Sequence, residues 1–414
     1  MDFDKDWCIG CKACIAACPY DAIFINPEDH TAEKCNMCAH RLEVGLEPAC
    51  VVVCPTQAIL VGDMNDPASK VAGIINREVV AVRRPEKDTR PKLFYKGAHA
   101  ATLDPLAARR PEGGIFMWSE QVGRLEGKIT GGVVQRATSS AAAVLSYDIP
   151  HNRPWDFRVS AYTWTKGIAA GVYLVAALLV LRGDLAATTA LWEIGVPVIC
   201  GIFLGLTGAL LVWDLKQPTR FYYLFVRPQW KSWLVRGAVI ITAYGALLAL
   251  HFFFGGMGND GATRVLTIAG IPLAGLTAVY TAYLFAQAKA RDLWQNPLLP
   301  AHFVVQAFVA GASVLALAAP GLETVASLVA GATVVHLLLV LGDVTLTHST
   351  AHARMAAHEI THGEFQPFFV AAVVLSLVGV ATPWVGMFGA ACALFGLLAW
   401  EHAHVQAGQS VPLA

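Results

Sequence analysis

Eight of the ten cysteines lie within the first 54 residues, and their spacing is that of metal ligands. Each of two groups has four members and is followed directly by proline. The groups are Cys8, Cys11, Cys14 and Cys18, then Cys35, Cys38, Cys50 and Cys54. The first group matches the C-x2-C-x2-C-x3-C-P run that holds a cubane iron–sulfur cluster. The sequence therefore predicts two [4Fe–4S] clusters, whose chemistry is one-electron transfer.

Zinc and disulfide bonds are the alternatives for these cysteines. Eight thiolates could hold two zinc ions at four ligands each, but the spacing is more specific to clusters. A disulfide framework is typical of small secreted domains, which this chain of 414 residues is not. Cys200 and Cys392 sit singly in apolar runs, so we expect buried thiols there.

Apolar segments of membrane-spanning length follow the cysteine region. Only 14% of the residues are charged, against about 25% in an ordinary soluble domain. A spanning helix needs about 20 apolar residues. Eight segments qualify approximately: 159–182, 189–213, 233–255, 264–288, 301–319, 323–346, 366–386 and 387–407. No soluble domain needs eight such runs, so the sequence predicts a polytopic helical bundle.

Charge divides the chain into three regions. Residues 1–63 hold ten acids and four bases, and residues 64–158 hold 15 of the 30 Lys and Arg. Short β-prone pieces at 22–25 and 58–61 predict a ferredoxin-like head. We therefore expect an α+β iron–sulfur head over 1–63, a basic connector over 64–158 and an all-α membrane bundle over 159–414. The connector is either a solvated linker or a docking arm, with weak strand signals at 78–82.

Ionisable and aromatic residues inside or beside the spans could form a binding site. A charge in hydrocarbon is costly, so each such residue is a functional candidate. Quinone reduction needs protons and hydrogen bonds to two carbonyl oxygens. We predict a quinone pocket drawn from Trp164, Lys166, Asp214, Arg220, His302 and Asp343. Each residue alone could instead be a snorkelling or paired interfacial side chain.

Other buried ionisable residues leave alternatives open. Glu193, His251 and His336 could begin a proton route, or could be satisfied residues at helix contacts. A haem would need two histidines at matching depth on facing helices. His251 and His336 differ in depth, so no haem is expected.

The cysteine region resembles a known family of electron-transfer subunits. The resemblance rests on CIGCKACIAACPYDAIFINP and KCNMCAHRLEVGLEPACVVVCPTQAILVGDMNDPAS. It is similar to the iron–sulfur subunits that partner molybdenum enzymes of the dimethyl sulfoxide reductase superfamily. Those subunits usually carry four cysteine groups, of which this chain resembles the third and fourth.

The partnership of the cysteines stays open for that reason. Taken alone, the region pairs Cys8, Cys11, Cys14 and Cys54 on one cluster, and Cys35, Cys38, Cys50 and Cys18 on the other. In the family each of these groups instead shares ligands with one of the two groups that are absent here. Another segment or polypeptide could therefore supply the remaining ligands.

The helical region resembles the polysulfide reductase membrane anchors (NrfD-like), in which eight helices form a haem-free quinone site. The marks are YTWTKGIAAG, WDLKQPTRFYYLFVRPQWKSWLVRGA and QNPLLPAHFVVQA. Together the two resemblances imply a subunit that is not a complete enzyme. It would carry electrons between the membrane quinone pool and a separate molybdopterin-type catalytic subunit, with no nucleic-acid partner. A redox-driven proton- or ion-translocating module and an inert membrane tether are the alternatives.

The distribution of cations predicts the orientation. The loops at 214–236, 287–301 and 345–366 are rich in Lys and Arg, whereas the other side shows only Arg182 and Arg264. By the positive-inside rule the head would face the cytoplasm. The start, MDFDKDW, lacks the features of an export signal. We therefore expect a multi-pass protein of a bacterial or archaeal inner membrane.

Overall fold

The computed structural model describes residues 3–104 and 153–411. These residues form two compact units. One comprises residues 3–8 and 17–104, and the other comprises residues 9–16 and 153–411. Much of the expected basic connector, residues 105–152, lies outside the described residues, and the three-region division remains a prediction.

The smaller unit is built from short elements. They are β1 (Phe24–Ile25), β2 (Ala32–Glu33), α2 (Ala39–Leu42), α3 (Ala49–Val52), α4 (Lys70–Arg77), β3 (Val80–Ala81), a 3-10 turn (Pro85–Lys87), β4 (Tyr95–Lys96) and α5 (Ala100–Leu103). Strands β1 and β2 pair antiparallel, with Phe24 opposite Glu33, and β3 pairs antiparallel with β4. Thus the β-prone pieces at 22–25 and 78–82 both contain strands.

The β-prone piece at 58–61 forms no strand. The Ala58 N–H donates to Cys54 Sγ, and Ile59 and Leu60 are exposed. The Ala58 N–H is therefore not available for a hydrogen bond to a neighbouring strand, and the segment has no buried face. Under these conditions β propensity alone does not make it a strand. The ferredoxin-like arrangement of the head therefore stays a prediction.

The larger unit is helical. It contains most of α1 (Ala13–Ala17) and the helices α6 (Phe157–Arg182), α7 (Val196–Asp214), α8 (Tyr223–Val226), α9 (Trp233–Gly256), α10 (Asp260–Gln287), α11 (Leu299–Ala318), α12 (Glu323–Thr345), α13 (Ala351–Thr361), α14 (Gln366–Val380), α15 (Thr382–Val385) and α16 (Met387–Ser410). A π-helical turn, Leu191–Gly195, leads directly into α7. Short 3-10 turns at Pro218–Arg220 and Asp292–Gln295 lie in the connecting loops.

Among the described residues, six helices are long and apolar enough to cross a membrane. The count rises to seven if α13 and α14, which meet at a 68° bend, form one span. The expected number of eight is therefore reached only if α16 also crosses. That helix has 24 residues, but its second half carries Glu401, His402 and His404, which lower its apolar character.

Helix α6 occupies the centre of this unit. Its first turn is capped by Asp156, whose side chain accepts the Arg158 N–H, and it ends at Gly183 in the left-handed conformation that glycine favours. A methyl group at Gly171 would overlap the Ala307 carbonyl of α11, and one at Gly311 would overlap the Gly171 backbone. The two glycines therefore allow α6 and α11 to touch backbone to backbone.

Candidate functional site

The loop of the first cysteine group uses left-handed backbone conformations. Gly10 and Lys12, which flank Cys11, have φ angles of 66° and 62°. Alternation of left- and right-handed residues turns successive N–H groups toward one point, which forms a concavity that favours anions. Cys14 then lies in α1, whose first turn is closed by the N–H groups of Ile15 and Ala16 on the Lys12 carbonyl.

The second cysteine group repeats this local chemistry. Met37 and Cys38 have φ angles of 60° and 51°, and the Asn36 side chain accepts the Cys38 N–H at 3.0 Å. Cys50 lies in α3. Left-handed backbone, which is uncommon outside glycine, thus occurs beside cysteines of both groups.

Backbone N–H groups also reach two of the sulfur atoms. The Ala32 N–H donates to Cys8 Sγ at 3.3 Å, and the Ala58 N–H donates to Cys54 Sγ at 3.2 Å. Hydrogen bonds from the Ile59 and Ala58 N–H groups lower the pKa of the Cys54 thiol. Such bonds favour the thiolate, which is the form that binds iron. The donor chemistry of this region therefore fits iron–sulfur clusters.

The described residues contain no site for a single metal ion, which differs from a site for an iron–sulfur cluster. Within residues 3–104 and 153–411, no three or more His, Cys, Asp and Glu side chains are grouped so as to hold an ion. A cubane cluster spreads its four irons and their thiolates over a larger volume than one ion does. The eight cysteines remain cluster ligands by prediction.

Residues Ile9–Ala16, with Cys11 and Cys14, pack within the helical unit. Lys12 Nζ donates to Asp214 Oδ1 at the end of α7 over 2.8 Å, and both side chains are buried. The N–H groups of Lys216 and Gln217 donate to the carbonyls of Gly10 and Ile9. The side chain that the sequence assigned to the quinone pocket, Asp214, is thus engaged by the cysteine loop.

Lys166 lies at the core of the helical unit and is fully buried. Its ammonium donates to the Ala278 carbonyl at 2.8 Å and to Thr281 Oγ1 at 2.9 Å, both on α10. It also lies over the rings of Tyr280 and Phe303, 5.1 and 4.5 Å from the centroids. These contacts hold a cation inside an apolar bundle. The two hydrogen bonds use two of the three N–H donors of the Lys166 ammonium.

A series of polar contacts runs from the helix end toward the middle of the bundle. Asn296 Nδ2 donates to Asp343 Oδ1 at 2.7 Å, and Asp343 Oδ2 lies 3.3 Å from His302 Nδ1. The other nitrogen of that ring, His302 Nε2, lies 3.1 Å from His336 Nδ1. Of these four residues, His302 and His336 are fully buried, whereas Asp343 is partly exposed. The arrangement can pass a proton between the helix end and the interior.

Glu401 of α16 was not singled out by the sequence analysis. It is buried, and its Oε2 lies 3.0 Å from Thr163 Oγ1, one turn before Lys166 on α6. The neighbouring Trp400 contacts His302, with ring centroids 5.9 Å apart. A signal was present in the sequence, because Glu401 is the one carboxylate within the predicted span 387–407.

The structure does not gather all six predicted pocket residues. The Lys166 ammonium lies over the ring of Phe303, which follows His302 on α11. Trp164 instead donates its Nε1–H to the Leu394 carbonyl of α16, since two residues along a helix point to different faces. Arg220 is half-buried in the Pro218–Arg220 turn.

A second buried group contains His251, which the sequence analysis considered for a proton route. Tyr173 Oη lies 3.1 Å from His251 Nδ1, and the Trp192 ring lies 4.9 Å from the histidine ring. His251 Nε2 is buried without a hydrogen-bond partner in the described structure. This group draws on α6, α9 and the turn before α7. Cys200 and Cys392 are buried thiols, as expected.

Comparison with known proteins decides the family. Residues 147–401 match the model described as "Polysulphide reductase, NrfD", which covers more than half of the sequence. This protein belongs to the polysulphide reductase NrfD family. Residues 2–64 match the "4Fe-4S dicluster domain", so this NrfD-family protein carries an iron–sulfur region in the same polypeptide. With its apolar helices, it is a multi-pass membrane protein.

Curated relatives match 22–26% of the chain. The chain is 45% identical to a tetrathionate reductase subunit of Salmonella typhimurium over 108 residues, 26% of this chain and 43% of the relative. It is 47% identical to a polysulfide reductase chain of Wolinella succinogenes over 95 residues, 23% and 50% of the two proteins. It is 33% identical to "Arsenate respiratory reductase iron-sulfur subunit ArrB" of Shewanella sp. over 140 residues, which are 22% of this chain and 60% of the relative. The chain thus spans 43–60% of these relatives.

Proposed function

We propose that this chain transfers electrons between a membrane quinone pool and a separate catalytic subunit of a reductase. The observation that carries the proposal is the packing of the loop with Cys11 and Cys14 in the helical unit that holds Lys166 and His302. Ala16, at the end of that loop, belongs to one buried apolar cluster with Phe303 and Trp400. The clusters supply one-electron transfer when bound.

The quinone headgroup binds, in this proposal, beside Lys166, His302 and Gln306. The third donor of the Lys166 ammonium suits a quinone carbonyl. Gln306 lies one turn after His302 on α11, and its Oε1 is buried without a hydrogen-bond partner in the described structure. A buried acceptor without a partner is costly, and a quinol hydroxyl would satisfy it. The aromatic faces of Tyr280 and Phe303 would exclude water around the ring.

The protons follow the series of polar contacts from the helix end. Reduction of a quinone consumes two protons, and oxidation of a quinol releases two. His302 passes a proton between Asp343 and His336, because its two ring nitrogens face those two side chains, and the negative charge of Asp343 stabilises the protonated ring. Because Asp343 is partly exposed near the end of α12, it connects the buried ring with water. Glu401, beside Thr163, offers a second proton acceptor.

The assembly follows from the head and from the relatives. The relatives are named as parts of tetrathionate, polysulfide and arsenate reductases, and the resemblance implies a molybdopterin-type catalytic partner. Exposed apolar side chains lie near the second cysteine group, at Val44, Leu46, Val52 and Val53. Such exposure favours a protein partner on the head. We propose two [4Fe–4S] clusters in a ferredoxin-like head, eight spans including α16, and a cytoplasmic head on an inner membrane.

Two substitutions test the quinone site. Lys166→Met and Asp343→Asn, made separately, should each slow quinol turnover ~10-fold or more, because each removes a group that binds or relays at the headgroup. The paramagnetic signals of the clusters should stay intact. His358→Gln on α13, an exposed histidine, serves as the matched control. Turnover that is unchanged in both variants would contradict the assignment.

A redox-driven ion-translocating module is the second candidate. The observation that favours it is the His251–Tyr173 group, a further buried polar group besides the two at Lys166 and His302. Charge movement across sealed vesicles during turnover would support it. Turnover without charge movement would mean that the protein transfers electrons and translocates no ions. Turnover that quinone-site inhibitors do not affect would mean that the helical unit is only an inert membrane tether.

A further inference from the structure

The contact between Lys12 and Asp214 joins residues 202 positions apart in the sequence. Lys12 is only 5% exposed and Asp214 only 7%. Charges buried to this degree need a partner, because an unpaired charge in the interior is strongly destabilising. A surface ion pair would carry no such requirement. The two side chains therefore depend on each other.

The backbone around the pair is held as well. Lys12 has a left-handed φ of 62°, which a non-glycine residue adopts only when its surroundings hold it there. Next to Asp214, the N–H groups of Lys216 and Gln217 donate to the carbonyls of Gly10 and Ile9. From the other side, Trp155 Nε1–H donates to the Cys11 carbonyl at 3.2 Å. The residues just after α7 and the residue just before α6 thus hold the short segment 9–12, which contains Cys11.

We propose that the Lys12–Asp214 pair is a positioning contact, which fixes the cysteine loop on the helical unit and sets the reduction potential of the cluster bound through Cys11 and Cys14. The proposal rests on the proposed function, in that those cysteines bind a cluster. Lys12 stands between the two ligands, so its positive charge favours the more negative, reduced form of the cluster. Asp214 opposes that effect, because its negative charge disfavours the reduced form. Charges and hydrogen bonds near a cluster tune its reduction potential in this way.

Opposite shifts of the midpoint potential are the expected signature. Lys12→Met should lower the potential of one cluster, and Asp214→Asn should raise it. The double variant removes both charges, so its potential should return close to that of the unchanged protein. Glu364→Gln, which breaks the Arg153–Glu364 ion pair, is the matched control and should shift nothing.

The experiment is a redox titration of the full-length protein in the presence of chemical mediators. Electron paramagnetic resonance measures the reduced clusters at each potential. Hydrogen exchange provides a second readout, in which the Lys216 and Gln217 amides should exchange faster in Asp214→Asn. Unchanged potentials in both single variants, or shifts in the same direction, would overturn the proposal. If single variants fail to assemble, a double variant that assembles supports the pairing, and one no better than the singles overturns it. The titration needs no quinone, so its result does not depend on whether the proposed quinone site is correct.

Discussion

Burial by itself does not mark a residue as functional, and Lys166 illustrates this. A charged side chain at the centre of a membrane costs about 3 kcal/mol or more. A hydrogen bond to a charged group contributes about 1.5–3 kcal/mol, and Lys166 makes two. These contacts offset the cost, so a structural role would suffice for the lysine alone. Gln306 Oε1 differs, because it is buried without a hydrogen-bond partner in the described structure, and we propose a quinol hydroxyl as its partner.

The cysteines give the clearest prediction for single residues. Cys38→Ser should remove one cluster, because a serine hydroxyl is a poor substitute for a thiolate ligand of iron. Iron analysis of the purified protein should then show close to half of the unchanged content. Cys392→Ser is the control, since its thiol is buried in α16 and belongs to neither cysteine group, so the substitution should leave iron unchanged. Equal iron content in the two variants would refute the ligand assignment.

At the scale of elements, the spacing of small residues decides how closely helices pack. Gly171 and Gly311 bring α6 and α11 into backbone contact. On the same two helices, Phe303 near the start of α11 lies under the Lys166 ammonium of α6. The site geometry therefore depends on two residues that have no chemistry of their own.

Filling this helix contact should destabilise the bundle. Gly311→Ala adds a methyl group where the Gly171 backbone already lies, and such overpacking costs about 1–3 kcal/mol. Thermal unfolding in detergent should show a lower midpoint. Gly201→Ala on α7 is the matched control, because the added methyl would meet no atom within 4 Å. A midpoint equally unaffected in both variants would mean that α6 and α11 do not touch at Gly311.

Sequence patterns predicted the helices better than the contacts between them. Length and hydropathy located the long helices, because an apolar run needs no partner to be recognised. The same criteria cannot tell which face a residue occupies, so Trp164 and Lys166 were grouped although they face different neighbours. Lys12 was passed over because its partner, Asp214, lies 202 positions away. The strand expected at 58–61 is absent because Ala58 donates to a cysteine sulfur.

At the scale of the whole molecule, an iron–sulfur region and an NrfD-family unit share one polypeptide. The fusion keeps the cysteine loop and the membrane unit in one polypeptide, so the proposed electron transfer between them needs no encounter of two separate proteins. The loop from Ile9 to Ala16 belongs structurally to the helical unit although it lies at the other end of the sequence. Function would then depend on the fusion as much as on either part.

The most direct test of this account is rapid-freeze electron paramagnetic resonance of the full-length protein with its copurifying partner. A menaquinol analogue is added to the oxidised complex, and the cluster signals are followed with time. We expect signals of reduced [4Fe–4S] clusters to appear within the turnover time, and to be delayed ~10-fold or more in Lys166→Met. Clusters that are reduced by dithionite but do not respond to the quinol would contradict the central claim.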